Sequence, residues 1–301
     1  MISNKWSGVI YVVLAYTIWG LGPLYYSFLH DIPTVEMVCF RVLFGTLSLV
    51  MLVYAMKNVK YFLKIYKNKK LWLSLSITSI LIVFNWSLYL WAINNNHVMD
   101  ASLGYFMIPL IIIFCGIFFF KEKLTKFKAI SVFLTVCGVS YNIYVFHGIP
   151  WIALSLAFSF AIYTVLRKKI PIDSQSGLLF EMVLFLPLAL SYLIFLDVAP
   201  TANFFQNSIL LDLLIMGAGL LTVLPLIFLH KATLRLDLTT IGFFQYINPT
   251  LALLTAIYMY NEPFTSSQMI SFSFIWIALM ISITESFILS NKNKNKNKAL
   301  I

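Results

Sequence analysis

Charged side chains are scarce in this sequence. Asp, Glu, Lys and Arg make up 11% of the 301 residues, whereas 61% are hydrophobic and the mean hydropathy is +0.90. Soluble globular domains contain about 25% charged residues, so this chain has too few charges to cover the surface of a soluble fold. The composition therefore predicts an integral membrane protein.

The residue patterns of several chemistries are also absent. The three cysteines lie inside apolar runs with no metal-ligand or redox spacing. The four histidines lie near the ends of such runs, and neither a His-Glu-x-x-His nor a Gly-x-Ser-x-Gly motif occurs. There is no Walker-type Gly-rich loop. We therefore expect no metal site, no cofactor, no nucleotide hydrolysis and no enzymatic activity.

Long apolar runs are present instead. A helix needs roughly 20 mostly apolar residues to cross the hydrocarbon core of a bilayer, and the chain has ten candidates. They lie near 8–29, 34–56, 71–93, 101–120, 129–146, 150–166, 178–197, 209–230, 239–260 and 268–289. The predicted fold class is an all-α integral membrane protein with ten transmembrane helices. Only HGIP at 147–150 separates the fifth run from the sixth, so a single re-entrant hairpin remains an alternative there.

Lysine and arginine follow a strict distribution along the chain. Apart from Arg41, all of them precede the first run, occupy the even-numbered connections or lie in the tail. The connections HDIP, NNNHVMD, APTANFFQN and NEPFTSSQ contain none. This pattern follows the positive-inside rule and predicts that both termini are cytoplasmic. The net charge of +10 therefore indicates topology and lipid contact rather than a nucleic-acid partner. The tail, residues 290–301, is predicted to be disordered.

The sequence is repeated internally. At an offset of 140 residues, Pro109 aligns with Pro249, and Glu122 aligns with Glu262. With five spans in each half, 8–146 and 150–289, the second half must be inverted relative to the first. Inverted repeats around a midplane site are typical of secondary transporters. We predict kinks at Pro109 and Pro249, because proline frees the carbonyl four residues earlier and lipid cannot satisfy that group.

Arg41 is the cation that lies inside an apolar run. An arginine in the membrane costs at least about 2.5–3.5 kcal/mol on insertion scales, so it is expected to face the protein interior with a partner or an anionic solute. We predict solute contact, and a fixed ion pair with a carboxylate such as Glu36 is the alternative. The same offset pairs Arg41 with Glu181. Glu36 and Glu181 are candidate coupling or gating residues that could carry a proton.

Two further groups of polar and aromatic residues are candidates for solute binding. Asn85, Trp86 and Tyr89 in the third run combine hydrogen-bonding groups with flat faces, which suits a small aromatic or zwitterionic solute. The second group surrounds the two prolines and consists of Tyr105, Gln245, Tyr246 and Asn248.

Five segments together resemble a known family. They are AYTIWGLGPLYY (15–26), NWSLYLWAINNNH (85–97), ASLGYFMIPL (101–110), LAFSFAIYTVLRKK (156–169) and GFFQYINPTLALL (242–254). In this order the chain resembles drug/metabolite transporters of the EamA type, and closely the RarD-type subfamily, whose members are called chloramphenicol-sensitivity proteins. The resemblance implies two inverted five-helix EamA repeats, cytoplasmic termini and movement of small metabolites or drugs across the bacterial inner membrane.

These features predict a secondary transporter that works by alternating access on a small anionic, zwitterionic or aromatic solute. Coupling to protons and exchange with a counter-solute both remain open. A non-transporting solute sensor and a channel-like protein are the alternatives. Saturable flux would separate a transporter from a channel, and binding without flux would indicate a sensor.

Overall fold

The computed structural model describes residues 2–29, 32–95, 97–146, 151–195, 208–260 and 263–298, which form helices and short connections without any strand. The helices are α1 (Ile2–Gly20), α2 (Gly22–Tyr26), α3 (Thr34–Ala55), α4 (Val59–Lys67), α5 (Lys69–Asn94), α6 (Val98–Phe120), α7 (Lys126–Phe146), α8 (Trp151–Lys169), α9 (Ser174–Phe195), α10 (Ile209–Thr233), α11 (Leu238–Gln245), α12 (Ile247–Tyr260) and α13 (Ser266–Lys298).

Ten helical segments of the described residues are long and apolar enough to cross a membrane. The prediction of an all-α protein with ten spans is therefore confirmed. The fifth and sixth spans are separate helices, α7 with 21 residues and α8 with 19. Each is long enough to cross the bilayer alone, which rules out the re-entrant hairpin, although residues 147–150 between them lie outside the described residues.

The internal repeat has the same spacing of 140 residues in the structure as in the sequence. Four pairs of corresponding helices begin 140 residues apart, at Thr34 and Ser174, Lys69 and Ile209, Val98 and Leu238, and Lys126 and Ser266. The fourth spanning segment of the first half is the continuous helix α6, whereas its counterpart is divided into α11 and α12. Each half contains five spans, so a chain that crosses the bilayer ten times places the halves in opposite orientations.

Polar side chains fix the beginnings of several helices. The first amide groups of a helix have no partner within it, and a side-chain oxygen just before the helix can accept from them. Asn68, Thr125, Asp173 and Ser208 accept in this way at the starts of α5, α7, α9 and α10. The apolar runs thus begin as helices at defined residues.

Two spans are interrupted. The first is predicted as one run over 8–29, but α1 ends at Gly20, and α2 begins at Gly22 with Pro23 in its first turn. Proline is tolerated there because its missing N–H would lack a helical partner in any case. The ninth is interrupted at Tyr246, three residues before Pro249, whereas α6 continues through Pro109.

The C-terminal segment differs from the prediction of a disordered tail. Helix α13 continues to Lys298, so residues 290–298 are helical. Extending an existing helix avoids the cost of forming a new first turn, which allows even a polar Asn-Lys sequence to continue it. Residues 299–301 lie outside the described residues.

Glycine allows two helices of the bundle to approach closely. Helix α3 packs against α9 and α10, and a Cβ placed on Gly219 of α10 would lie 2.6 Å from the backbone nitrogen of Gly45 on α3. A side chain larger than hydrogen does not fit at this crossing. Gly45 is one turn beyond Arg41, and Gly219 is one turn before Thr222, so the close approach brings those two side chains within reach of each other.

Candidate solute-binding site

Arg41 lies inside the bundle between three helices. Its Nε donates a hydrogen bond to Thr222 Oγ1 of α10 at 2.7 Å. Its guanidinium carbon lies 5.3 Å from the ring centroid of Trp86 on α5 and 5.6 Å from that of Tyr26 on α2. Both distances suit cation–π contact. The side chain of Arg41 thus lies in the space between α2, α5 and α10, and the residue is partly exposed.

Two tyrosines extend the aromatic surroundings of Arg41. The rings of Tyr89 and Tyr105 meet edge to face, with centroids 5.2 Å apart. Both hydroxyl groups lie within electrostatic range of the Arg41 guanidinium. The structure thus brings together four predicted site residues, Arg41, Trp86, Tyr89 and Tyr105. It adds Tyr26 and Thr222, which the sequence analysis did not single out.

No ion pair to a carboxylate holds Arg41 among the described residues. Within that part of the chain, the hydrogen bond of Arg41 is donated by its Nε, and Arg41 takes part in none of the ion pairs. Glu36, the alternative partner considered from the sequence, is fully buried in the first turn of α3. The remaining guanidinium N–H groups of Arg41 are therefore available to an anionic group that enters this space.

A second polar group lies where the ninth span is interrupted. Tyr16 of α1 donates a hydrogen bond to Oε1 of Gln245 at 3.2 Å, and both residues are buried. The Tyr246 hydroxyl is buried without a hydrogen-bond partner among the described residues. Asn248 and Pro249 are partly exposed, whereas Pro109 is buried within α6. Of the two amide-bearing residues in this group, Asn248 is partly exposed and Gln245 is buried.

Asn85, which is predicted to bind solute, lies between two helices. It is 1% exposed, and its amide nitrogen donates to the Leu156 carbonyl oxygen at 2.8 Å and to Ser159 Oγ at 2.9 Å. Both acceptors belong to α8. Its amide nitrogen is therefore occupied in joining α5 to α8, which the deep position of Asn85 in its run did not reveal.

Glu181 belongs to a buried polar cluster at the other end of the bundle. It accepts hydrogen bonds from Thr78 of α5 at 2.6 Å and from Tyr163 of α8 at 3.1 Å. Arg167 lies 3.4 Å away, and Tyr163 also contacts His230 of α10 at 2.9 Å. The cluster thus unites four helices from both halves of the chain.

Sequence reasoning missed most of this cluster. The run RKK predicts that Arg167 lies in a connection between spans, yet it is 5% exposed within α8. A Cβ on Gly177 would lie 2.4 Å from its Nη1, so the guanidinium occupies space that only glycine leaves. The available signal was spacing: Tyr163 and Arg167 are four residues apart and share a helical face.

Glu122 lies two residues after the end of α6 and forms hydrogen bonds with the second repeat. Its two carboxylate oxygens accept from the backbone amides of Leu238 and Thr239 at 2.7 and 2.9 Å. An acidic group at a helix start is favourable because the amides and the helix dipole are positive there. Glu122 therefore caps α11, and its repeat counterpart Glu262 lies outside the described residues. Among those residues, no group of three His, Cys, Asp or Glu side chains could hold a metal ion.

The fold and the comparisons with known proteins define a multi-pass bacterial membrane transporter. The EamA-like transporter family matches twice, over residues 6–144 and 148–284. The chain belongs to this family. Its solute is a small molecule, and its surroundings are a lipid bilayer.

The similarity to individual relatives extends over almost the whole chain. Protein RarD of Salmonella typhimurium is 39% identical over 95% of this chain and 97% of its own length. An uncharacterized transporter of Vibrio cholerae is 40% identical over 91% of each chain. These full-length matches place the chain with the RarD-like subfamily. A solved crystal structure at 14% identity covers 92% of this chain and 97% of its own, with a TM-score of 0.71, which shows the shared fold alone.

Proposed function

We propose that the protein is a secondary transporter that carries a small anionic or zwitterionic solute with a flat, unsaturated part by alternating access. The observation that carries this proposal is Arg41, a guanidinium held against two aromatic rings in the interior of a transporter bundle. A carboxylate on the solute could accept from its remaining N–H groups. The nearby rings would cover the rest of a small molecule and exclude water.

The interrupted ninth span and the inverted halves support the alternating-access part of the proposal. Non-helical backbone at membrane depth is tolerated where protein or a wet space satisfies it. Such interruptions near the midplane accompany rocking of one repeat against the other in transporters. In this proposal the end that carries the Lys-rich connections faces the cytoplasm, and an ion or solute gradient supplies the energy.

Flux in proteoliposomes tests the proposal. The purified protein is reconstituted, and uptake is measured for amino acids, small organic anions and chloramphenicol. Chloramphenicol is included because a Pseudomonas aeruginosa relative, 27% identical over 95% of this chain, bears the name chloramphenicol-sensitive protein RarD. We expect saturable uptake of at least one anionic or zwitterionic solute, and its reduction in Arg41→Ala. Non-saturable flux would indicate a channel, and saturable binding without flux would indicate a sensor.

A further inference from the structure

The cluster around Glu181 is a buried polar assembly that the proposed solute site does not use. The exposed fractions are 2% for Glu181, 0% for Tyr163 and Thr78, 5% for Arg167 and 4% for His230. Glu181 lies seven residues after the first residue of α9, or roughly 10 Å along that helix. A carboxylate at such depth needs a specific reason to be there.

The number of hydrogen atoms in this cluster constrains where a proton can reside. The Tyr163 hydroxyl has one hydrogen but two neighbours, Glu181 Oε2 at 3.1 Å and His230 Nε2 at 2.9 Å. If Tyr163 donates to a Glu181 carboxylate, then His230 Nε2 can hydrogen-bond to Tyr163 only by carrying a hydrogen, and otherwise it accepts from Arg167 Nε at 3.2 Å. If Tyr163 instead donates to an unprotonated Nε2, then Glu181 must be protonated and donate to Tyr163.

These two arrangements connect Glu181 with His230 through a single hydroxyl. Moving from the second to the first breaks the O–H bond of Glu181, transfers a proton to the Tyr163 oxygen, passes the original Tyr163 proton to Nε2, and leaves a carboxylate. Charge and atoms balance, because the imidazole gains the proton that the carboxyl loses. Return of the proton from Nε2 to Glu181 reverses the same two transfers.

Arg167 does not form the paired contact typical of a permanent structural ion pair. Its closest approach to Glu181 is one nitrogen–oxygen distance of 3.4 Å, whereas a stable arginine–carboxylate pair usually has two parallel hydrogen bonds. Its Nε instead donates to His230 Nε2 at 3.2 Å, and its Nη2 lies 3.1 Å from His230 Nδ1. Its Nη1 is buried without a partner among the described residues.

The groups around Glu181 come from three neighbouring helices. Helix α5 contributes only the hydroxyls of Thr78 and Ser79, of which Ser79 donates to the Glu181 carbonyl oxygen at 2.8 Å. The charged and titratable groups are Tyr163 and Arg167 from α8 and His230 from α10. Helices α3 and α4 also pack on α9 but add no charged group that acts on this carboxyl within the described residues.

We propose that Glu181 is a proton-binding carboxyl, that Tyr163 and His230 are positioning residues that relay its proton, and that this site couples solute transport to proton movement. The coupling part rests on the proposed transport function, whereas proton binding does not. Because the cluster joins α5 of the first half to α8, α9 and α10 of the second, a change of protonation alters contacts between the two halves.

Infrared difference spectroscopy tests proton binding without a solute. Spectra of the purified wild type and Glu181→Gln are compared as the pH is changed. We expect a protonated-carboxyl band that Glu181→Gln lacks, with a midpoint between about pH 5 and 8, the range in which a relay to histidine can operate. His230→Gln and Tyr163→Phe should each move that midpoint by about one pH unit. A carboxyl that stays in one protonation state across this range, or an unmoved midpoint in both variants, would overturn the proposal.

Transport tests the coupling and separates its failure from that of transport itself. Proteoliposomes contain a pH-sensitive dye and the solute found to exchange in the panel above. We expect the wild type to show internal pH changes during uptake, and Glu181→Gln to retain exchange at equal pH while it loses uptake driven by a pH gradient. Wild-type exchange without a pH response would refute coupling and leave transport intact. Absence of any flux would contradict the transport function, while the infrared titration still decides proton binding.

Glu285→Gln is the matched control. Glu285 lies in α13, is 6% exposed and has one oxygen without a partner among the described residues, but it does not belong to the cluster. We expect this variant to keep gradient-driven uptake. Loss of coupling in Glu285→Gln with full coupling in Glu181→Gln would overturn the assignment. If Glu181→Gln fails to insert, Tyr163→Phe replaces it, because it removes one hydroxyl and retains the ring.

Discussion

Arg41 and Glu181 occupy corresponding positions in the two repeats, and each forms a hydrogen bond with a threonine of the opposite repeat. Arg41 bonds to Thr222 at 2.7 Å and Glu181 to Thr78 at 2.6 Å. Each lies seven residues after the start of its helix, at Thr34 or Ser174. A cation and an anion at corresponding positions thus each contact the opposite repeat, near opposite ends of the bundle. In the proposed cycle, the end with Arg41 binds solute and the end with Glu181 binds a proton.

The first prediction concerns Arg41→Ala. Loss of its charged hydrogen bonds to an anionic solute should lower kcat/KM roughly tenfold or more, because such bonds contribute about 1.5–3 kcal/mol. Uptake in proteoliposomes measures this. Arg235→Ala is the control, since Arg235 also stacks on a tyrosine, with its guanidinium carbon 5.3 Å from the Tyr11 ring, but lies just beyond the end of α10. Equal uptake in the Arg41 variant and the wild type would contradict the proposed site.

The second prediction separates stability from binding at Asn85. Asn85→Ala removes two buried hydrogen bonds to α8 and leaves the Leu156 carbonyl without this donor. We expect a loss of about 1–3 kcal/mol in stability and an unchanged KM for the transported solute. Thermal unfolding in detergent and uptake kinetics measure the two effects. A large increase in KM without a change in thermal stability would show that Asn85 contacts solute after all.

The third prediction concerns the interruption at Tyr246. Pro249→Ala restores an N–H that can bond the Gln245 carbonyl, which favours one continuous ninth span. We expect higher thermal stability and slower solute exchange, because the continuous helix bends less readily. Pro187→Ala is the control, since Pro187 lies on an exposed face within the continuous helix α9. If the variant is more stable but exchanges solute at the wild-type rate, then the interruption at Tyr246 plays no part in the transport cycle.

The fourth prediction concerns the crossing of α3 and α10. Gly219→Ala places a methyl group 2.6 Å from the Gly45 nitrogen, and overpacking of this kind typically costs about 1–3 kcal/mol. We expect a lower unfolding temperature and weaker transport, because the Arg41–Thr222 contact lies one turn away. Gly22→Ala meets nothing closer than the Tyr26 ring at 3.9 Å and should unfold like the wild type. Equal unfolding temperatures of the two variants would show that α3 and α10 can move apart to accommodate the added methyl group without a loss of stability.

The sequence predicts the helices well but the side-chain contacts only in part. Long apolar runs and the placement of lysine are properties of the chain itself, so ten spans and the repeat offset can be read directly. Arg41 could be identified because a cation inside an apolar run is conspicuous. Arg167 could not, since a cation at the end of a run looks like a loop residue until the fold buries it. The contacts of Asn85 with α8 could not be predicted, because depth in a helix does not tell whether a side chain faces a neighbouring helix or an open space.

The spacing of 140 residues between the starts of four pairs of corresponding helices has a consequence for the conformation that the structure does not display. If the two halves exchange their packing in the proposed cycle, each contact is replaced by the contact between the residues 140 positions away. Glu181 now meets Thr78, and the residue 140 positions beyond Thr78 is Ala218. In the exchanged packing, Arg41 would move one helical turn along α10, from Thr222 to Ala218. The alignment of the two repeats thus predicts a specific contact of the alternate conformation, between Arg41 and the turn of α10 at Ala218.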